Sequence, residues 1–342
     1  MMLHVCSRTC LALTLLLAVG LAEAAERSYE ECVVQAVLAS AEDRTVESIR
    51  AACASPGEAR ISTTKIEAAP PARESALKAR MRAEYDVASR QFAISTYRPN
   101  YLMYTDNSEF NASDSIYVDI NSDFQYLKQE EMKYQVSVKL PVWRDMFGSG
   151  MDMYAGYTQT SWWQLFSDEG ITSAPFRETN YEPELFVRRN MNLDVPFGGK
   201  LAAADLALVH QSNGRSELLS RSWNRVMARA AFDYGDLAFL VRAWYRLPED
   251  SEDDNNPDTE DYYGYGDVRA VWAPNKNTFS LMVRPGTEKS GMELTWSRQI
   301  TSELRIYSQW WHGYGESLID YDQKVNRFGI GLAVNDFLMG GK

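Results

Sequence analysis

The stretch Lys133-Tyr134-Gln135-Val136-Ser137-Val138-Lys139-Leu140 alternates polar and apolar side chains without a break, and Pro141-Val142 carries the apolar series one step further. Successive side chains of an extended chain point to opposite faces. One face of this segment is therefore Tyr134, Val136, Val138, Leu140 and Val142, and the other is Lys133, Gln135, Ser137 and Lys139. A period of two over this length identifies a strand. The same alternation returns at both later ends of the chain. Phe328, Ile330, Leu332 and Val334 alternate with Arg327, Gly329, Gly331 and Ala333. Leu304 and Ile306 flank Arg305, and Leu237, Phe239, Val241 and Ala243 alternate less cleanly with Leu240, Arg242 and Trp244. About a dozen such segments lie between Phe92 and Leu338, roughly 20 residues per strand and connection, which suits membrane strands of ~9–11 residues.

Composition permits this and excludes much else. The chain has 342 residues, 45% hydrophobic, 24% charged and 12% aromatic, with a net charge of −12. That is not a disordered chain, and a pI near 4.9 argues against wrapping nucleic acid. A mean hydropathy of −0.38 excludes a helical membrane protein. It does not exclude a barrel, where only alternate residues face lipid.

The N-terminus reads as a secretory signal over residues 1–24. Arg8 is in its charged start, an apolar run follows from Cys10 to Leu21, and Ala22-Glu23-Ala24 is a small-x-small cleavage site. Two cysteines remain, Cys32 and Cys53, and an exported chain with one pair points to a structural disulfide. It would staple a helical hairpin within 25–54. Residues 55–91 read as an Ala/Ser/Thr/Pro linker, stopped at Pro70-Pro71, followed by a helix from Ala72 to Arg90 with Glu74 four residues ahead of Lys78. The barrel is expected over 92–338, with 339–342 as a tail. The acidic run Glu249–Asp261 reads as a solvated loop between strands. A soluble sandwich also alternates, but three features favour the membrane barrel: export, long strands ending in Trp162-Trp163 and Trp310-Trp311, and a last alternating strand with Phe337 near the C-terminus.

One pair of residues breaks the apolar face. In Leu206-Ala207-Leu208-Val209-His210-Gln211-Ser212, His210 and Ser212 share a strand face with Leu206 and Leu208. Their Cα atoms would be ~6.6 Å apart, within side-chain reach of a hydrogen bond. A polar pair facing hydrocarbon is costly, so it needs a purpose. The next strand carries Asn224 in register with Val226 and Ala228, on the same apolar face. A Ser-His-Asn set can perform acyl transfer: Ser212 attacks, His210 moves the proton, and Asn224 holds the other ring nitrogen. A neutral Asn suits a site beside lipid better than a carboxylate. His312, the other histidine of the mature chain, reads as structural or interfacial beside Trp311.

The segment His210-Gln211-Ser212-Asn213-Gly214-Arg215-Ser216, followed by Ser220-Arg221-Ser222-Trp223-Asn224-Arg225, closely resembles the active-site hairpin of the outer membrane phospholipase A family. Further matches are Tyr97-Arg98-Pro99-Asn100-Tyr101, Tyr157-Thr158-Gln159, Ser161-Trp162-Trp163-Gln164-Leu165, Pro175-Phe176-Arg177-Glu178-Thr179-Asn180-Tyr181-Glu182-Pro183, and Gly313-Tyr314-Gly315-Glu316-Ser317-Leu318-Ile319-Asp320-Tyr321. The resemblance runs from about Tyr97 to Leu338. It implies an all-β fold, a 12-stranded antiparallel transmembrane β-barrel in the bacterial outer membrane, here with a small helical N-terminal extension. It implies calcium-dependent (Ca2+) hydrolysis of sn-1 and sn-2 acyl esters of phospholipids and lysophospholipids. By position, His210 is the base, Ser212 the nucleophile, Asn224 the orienting residue, and the amides of Gly214 and Ser212 the oxyanion hole. The implied calcium ligands are the Arg215 carbonyl, the Ser220 hydroxyl and a carbonyl of the partner subunit's Ser173. Activity in the family follows homodimerisation, and Gln159 matches a lipid-embedded glutamine at the dimer interface. Glu217 stands where the family has an Asp, and the long N-terminal region exceeds the family pattern.

The alternative is a non-enzymatic pore or adhesin barrel. Lys139, Arg225, Arg229, Arg242 and Arg246 would point inward, either packed against acidic partners or lining a pore. A soluble periplasmic esterase is a third reading.

Overall fold

The computed structural model describes residues 32, 34–35, 53, 74–88, 93–111, 127–166, 176–250, 252 and 254–338. The expected signal segment, the 55–71 linker, Ser173 and the 339–342 tail lie outside the described residues. The chain divides into two units, Met1–Ala72 and Arg73–Lys342. In the first, Cys32 and Cys53 are joined by a disulfide with Cα atoms 5.8 Å apart.

The second unit opens with helix α1 (Ala76–Ala88). Ser75 caps it by accepting a hydrogen bond from Lys78 N at 3.2 Å. Glu74 therefore precedes the helix, and its carboxylate is taken by Arg82 rather than by a pairing with Lys78 one turn along. A two-residue strand β1 (Ser95–Thr96) follows, then β2 (Asn100–Asn107), β3 (Glu130–Trp143), β4 (Met151–Trp163), β5 (Phe176–Val195), β6 (Gly199–Ser212) and β7 (Ser222–Tyr234). The remaining strands are β8 (Leu237–Arg246), β9 (Gly266–Trp272), β10 (Asn277–Pro285), β11 (Ser290–Gln299), β12 (Arg305–Gly313) and β13 (Val325–Asn335), with a short helix α2 (Thr259–Tyr263) between β8 and β9. Each strand from β2 onward pairs antiparallel with the next, and β13 pairs back onto β2. The result is a closed 12-stranded barrel, with β1 appended to β3. Closure leaves no sheet edge unpaired, which hydrocarbon demands. The connections at one end are the short turns 144–150, 196–198, 235–236, 273–276 and 300–304. The connections β2–β3, β4–β5, β6–β7, β8–β9, β10–β11 and β12–β13 leave from the other end.

The pleat sorts residues as the alternation predicts. Val136, Leu140 and Val142 face outward, as do Phe328, Ile330, Leu332 and Val334, whereas Lys133, Ser137, Lys139 and Arg327 are buried inside. The paired tryptophans divide between the faces: Trp162 and Trp311 are buried in the interior, which leaves Trp163 and Trp310 to the outer belt. Adjacent strand residues cannot share a face, so each pair supplies one girdle residue.

The interior is filled by paired charges. Glu131 accepts from Arg177 Nε at 2.7 Å, Arg177 Nη2 at 3.1 Å, Arg327 Nη1 at 2.8 Å and Gln164 at 2.9 Å. Glu316 continues the chain to Arg327 and Lys133. A second network joins Arg98, Glu182 and Arg225, and Arg229 binds Glu184 and Asp205. The inward cations read from the sequence thus have acidic partners: Lys139 with Glu84, Arg242 with Asp267, and Arg246 with Asp254. Burying these ions would be prohibitive unpaired. Helix α1 lies at the turn end, where Leu77 and Met81 pack against Ala202, Ala238, Val271 and Leu338. Arg80 donates there to the carbonyls of Thr96 and Tyr97 at 2.9 and 3.1 Å.

Candidate active site

Strands β6 and β7 are joined by loop 213–221, so their residues face each other in a register set by this hairpin. His210 is paired directly with Asn224, and Ser212 with Ser222. His210 is exposed on the outer face with Leu206 and Leu208, while Ala207 and Val209 between them are buried. All three sequence-predicted residues are therefore on the lipid-facing side, near the loop end of the barrel. His210 Nδ1 and Asn224 Oδ1 are 2.9 Å apart. The Asn224 amide also donates to Glu249 Oε1 at 3.0 Å. Since Oδ1 is an acceptor only, the bond to it places the ring proton on Nδ1 and leaves Nε2 as the basic nitrogen. Ser212 lies on the same strand face two residues on, between Tyr181 of β5 and Ser222 of β7. Its Oγ makes no hydrogen bond to the ring in this structure, and such bonds commonly tighten only with substrate.

Loop 213–221 is held from within by Asn213. Its side chain donates to Leu219 O at 2.8 Å and accepts from Arg221 N at 3.0 Å, and Asn213 N donates to Arg221 O at 3.0 Å. Gly214 has φ +64°, the left-handed region that suits glycine, and a Cβ there would meet the Tyr181 ring at 3.0 Å. The Gly214 N–H donates to no group among the described residues. The Arg215 side chain crosses to β5 and donates to the carbonyls of Phe176 and Arg177 at 3.0 and 2.7 Å. It ties this loop to the strand that follows loop 164–175, where Ser173 lies outside the described residues.

Of the expected calcium ligands, Arg215 and Ser220 belong to loop 213–221, and the Ser220 hydroxyl accepts from Asn255 Nδ2 at 3.3 Å. A carbonyl and a hydroxyl are hard oxygen donors of the type calcium takes. No cluster of three or more His, Cys, Asp or Glu that could hold a metal occurs among the described residues.

On β4, Gln159 shares the outward face with Tyr157. The Tyr157 hydroxyl donates to Gln159 Oε1 at 3.0 Å, and Gln159 Nε2 donates to Ser161 Oγ at 3.2 Å. His312 lies on the outward face beside the Trp310 ring, 5.6 Å between centroids, on a strand well separated from the β6–β7 hairpin. In the sequence Glu249 belongs to an acidic run that reads as a solvated loop. The signal that would have placed it is hairpin register: Leu247 N still donates to Asn224 O, at 2.8 Å, one step beyond the end of β8.

Comparison with known proteins bears on the family and the fold. Residues 77–334 match the family model described as phospholipase A1. A relative from Neisseria meningitidis serogroup B bearing the phospholipase A1 name is 42% identical over 221 residues, spanning 64% of this chain and 58% of that one. Phospholipase A1 of Escherichia coli K12 is 37% identical over 269 residues, 78% of this chain and 89% of the relative. Among solved structures, outer membrane phospholipase A from Escherichia coli superposes with a TM-score of 0.67 at 35% identity, covering 72% of this chain and all of that one. The Salmonella typhi outer membrane phospholipase dimer with bound calcium gives 0.68 at 34% identity, covering 73% and 96%.

Proposed function

The chain belongs to the phospholipase A1 family, and from that premise we propose that it is a calcium-dependent outer-membrane phospholipase that works through Ser212, His210 and Asn224 and is active as a homodimer. Its substrates would be membrane phospholipids and lysophospholipids, cleaved at the sn-1 and sn-2 acyl esters. The observation that carries this reading is the 2.9 Å contact between His210 and Asn224, made on the lipid-facing side of the barrel near its loop end. An acyl ester at the membrane interface lies at that height, with its chain alongside Leu206 and Leu208.

In this scheme Ser212 Oγ attacks the ester carbonyl carbon while His210 Nε2 takes its proton. The same proton passes to the leaving alcohol oxygen of the lipid, and the acyl group remains on Ser212. Water then attacks the acyl-serine with His210 again as base, releasing the fatty acid. Asn224 Oδ1 accepts from Nδ1 throughout and stabilises the ring when it is charged. The Gly214 and Ser212 amides would donate to the carbonyl oxygen as it becomes an oxyanion. Calcium, when bound by the Arg215 carbonyl and Ser220 hydroxyl with the partner subunit's Ser173, would add positive charge beside that oxygen. Gln159 supports the dimer reading, because an outward amide in lipid gains from a hydrogen bond across an interface.

The test is fatty-acid release from mixed micelles of phosphatidylethanolamine by the refolded mature protein, with calcium or chelator, beside Ser212→Ala. Calcium-dependent release lost in the variant is expected. Near wild-type release by a folded Ser212→Ala barrel would reject the assignment of the nucleophile. Ion conductance without ester hydrolysis would favour the pore reading instead.

A further inference from the structure

Asn224 is held at both ends of its side chain, and only one of its partners belongs to the proposed triad. Its amide nitrogen donates to Glu249 Oε1 at 3.0 Å while its oxygen meets the His210 ring at 2.9 Å. The two ends of a side-chain amide have nearly the same shape and differ only in donor and acceptor character. Nothing in the His210 ring forces the choice between them, because a neutral imidazole also has one donor and one acceptor nitrogen. If the amide turned over, its NH2 would face Nδ1, and the ring would move its proton to Nε2. The nitrogen nearest Ser212 would then be a donor, unable to accept the serine proton. An orienting Asn is for this reason less reliable than an orienting carboxylate, unless something else fixes the amide.

We propose that Glu249 is the positioning residue that fixes it: its carboxylate selects the active tautomer of His210 by holding the Asn224 amide in one orientation. An ionised carboxylate only accepts, so it binds the NH2 end and repels the oxygen end. It also places a carboxylate one hydrogen bond beyond Asn224, where its charge favours the imidazolium that forms during proton transfer. The proposal rests on the Ser212–His210–Asn224 reading and adds a fourth group to it.

Glu249 is braced to do this. It lies three residues beyond β8, where Leu247 N continues the ladder to Asn224 O. The loop beyond it is tied to the barrel by Arg246, which binds Asp254 Oδ1 at 2.6 Å and the Asn256 carbonyl at 2.9 Å. Asn256 is buried and accepts from Ser222 N at 3.3 Å, so the loop is anchored on β7 itself.

The experiment is a double-mutant cycle on kcat and KM, with phosphatidylethanolamine micelles and saturating calcium. Glu249→Gln is made alone and in the Asn224→Asp background, and Ser212→Ala is run beside them. Barrel folding of each variant is checked by heat-modifiable migration. With Asn224 present, Glu249→Gln replaces a pure acceptor by a second amide, so the orientation is no longer enforced. A loss of about fivefold or more in kcat with unchanged KM is expected. In the Asn224→Asp background there is no amide to turn, and two carboxylates face each other. Glu249→Gln should there leave kcat unchanged or raise it. An equal loss in both backgrounds would show a merely structural role and overturn the proposal, as would wild-type kcat for Glu249→Gln alone. If either occurs while Ser212→Ala is dead, the triad reading stands and only the role of Glu249 falls. If the wild type itself hydrolyses nothing, both fall together.

Discussion

Asn224→Ala offers a measurable division of labour within the hairpin. The substitution removes one acceptor 2.9 Å from the His210 ring and leaves the strand pairing around it intact. Against a neutral imidazole that hydrogen bond contributes about 1 kcal/mol, and against an imidazolium about 1.5–3 kcal/mol. Only the difference acts on the rate, because both the free enzyme and the substrate complex hold the neutral ring. The loss of transition-state stabilisation is then about 0.5–2 kcal/mol, or roughly 2- to 30-fold in kcat. The Gly214 amide and loop 213–221 are untouched, so KM and the calcium requirement should not change. The assay is initial-rate fatty-acid release across micelle concentrations, at saturating calcium, with folded protein confirmed beforehand. A loss below twofold, or one residing in KM, would refute the argument that Asn224 acts on the charged ring. A loss beyond about a thousandfold would mean that Asn224 does more than orient and polarise the imidazole.

Other consequences can be measured in the same preparation. Gly214→Ala puts a Cβ at a residue with φ +64° and within 3.0 Å of the Tyr181 ring. With a left-handed penalty of about 1–2 kcal/mol and a displaced amide, kcat should fall tenfold or more while the barrel stays folded; unchanged kcat would remove this amide from the oxyanion hole. Glu131→Gln weakens the buried pairing of both Arg177 and Arg327, whose side chains are 1% and 3% exposed. Its denaturant stability should drop by up to about 3–5 kcal/mol, the cost of breaking a buried pair, and a drop under about 0.5 kcal/mol would contradict this account. Glu84 on α1 is held at about 2 from an ordinary value near 4.5, because Lys139, Arg80 and Arg188 outweigh the burial that alone would raise it. A lowered folded-state pKa contributes stability that is fully present above about pH 4.5 and is lost as pH falls toward about 2. Unfolding midpoints of the wild type should therefore decline through that window more steeply than those of Glu84→Gln, and parallel curves would count against the pairing.

The alternation around Val136 and Ile330 made the barrel legible, because a closed sheet between lipid and a polar interior imposes one period on every strand. The place of His210 on the apolar face was legible for the same reason: parity along a strand survives any detail of packing. The tryptophan pairs show the limit of reading them as units. Trp162 and Trp311 turned inward although Trp163 and Trp310 met the expectation of an outer belt. Glu74 shows another limit. Spacing alone offered Lys78 as its partner, but Ser75 starts the helix one residue later, and Arg82 reaches back to the carboxylate instead.

Strand parity, the turn signals and the hairpin motif are local properties, and local sequence was sufficient to predict the barrel and its lipid face and to place His210, Ser212 and Asn224 on that face. Partner choice inside the lumen was not local. Glu131 is bound by Arg177 and Arg327, 46 and 196 residues away, and Arg98 by Glu182, 84 residues away. Nothing in the spacing of these residues announces the pairing, since it is fixed by the tilt and closure of strands that are remote in sequence. Glu249 is the same case at the site itself. In the sequence it is the first acid of a solvated run, and only the register of β7 against β8 brings its carboxylate to the Asn224 amide.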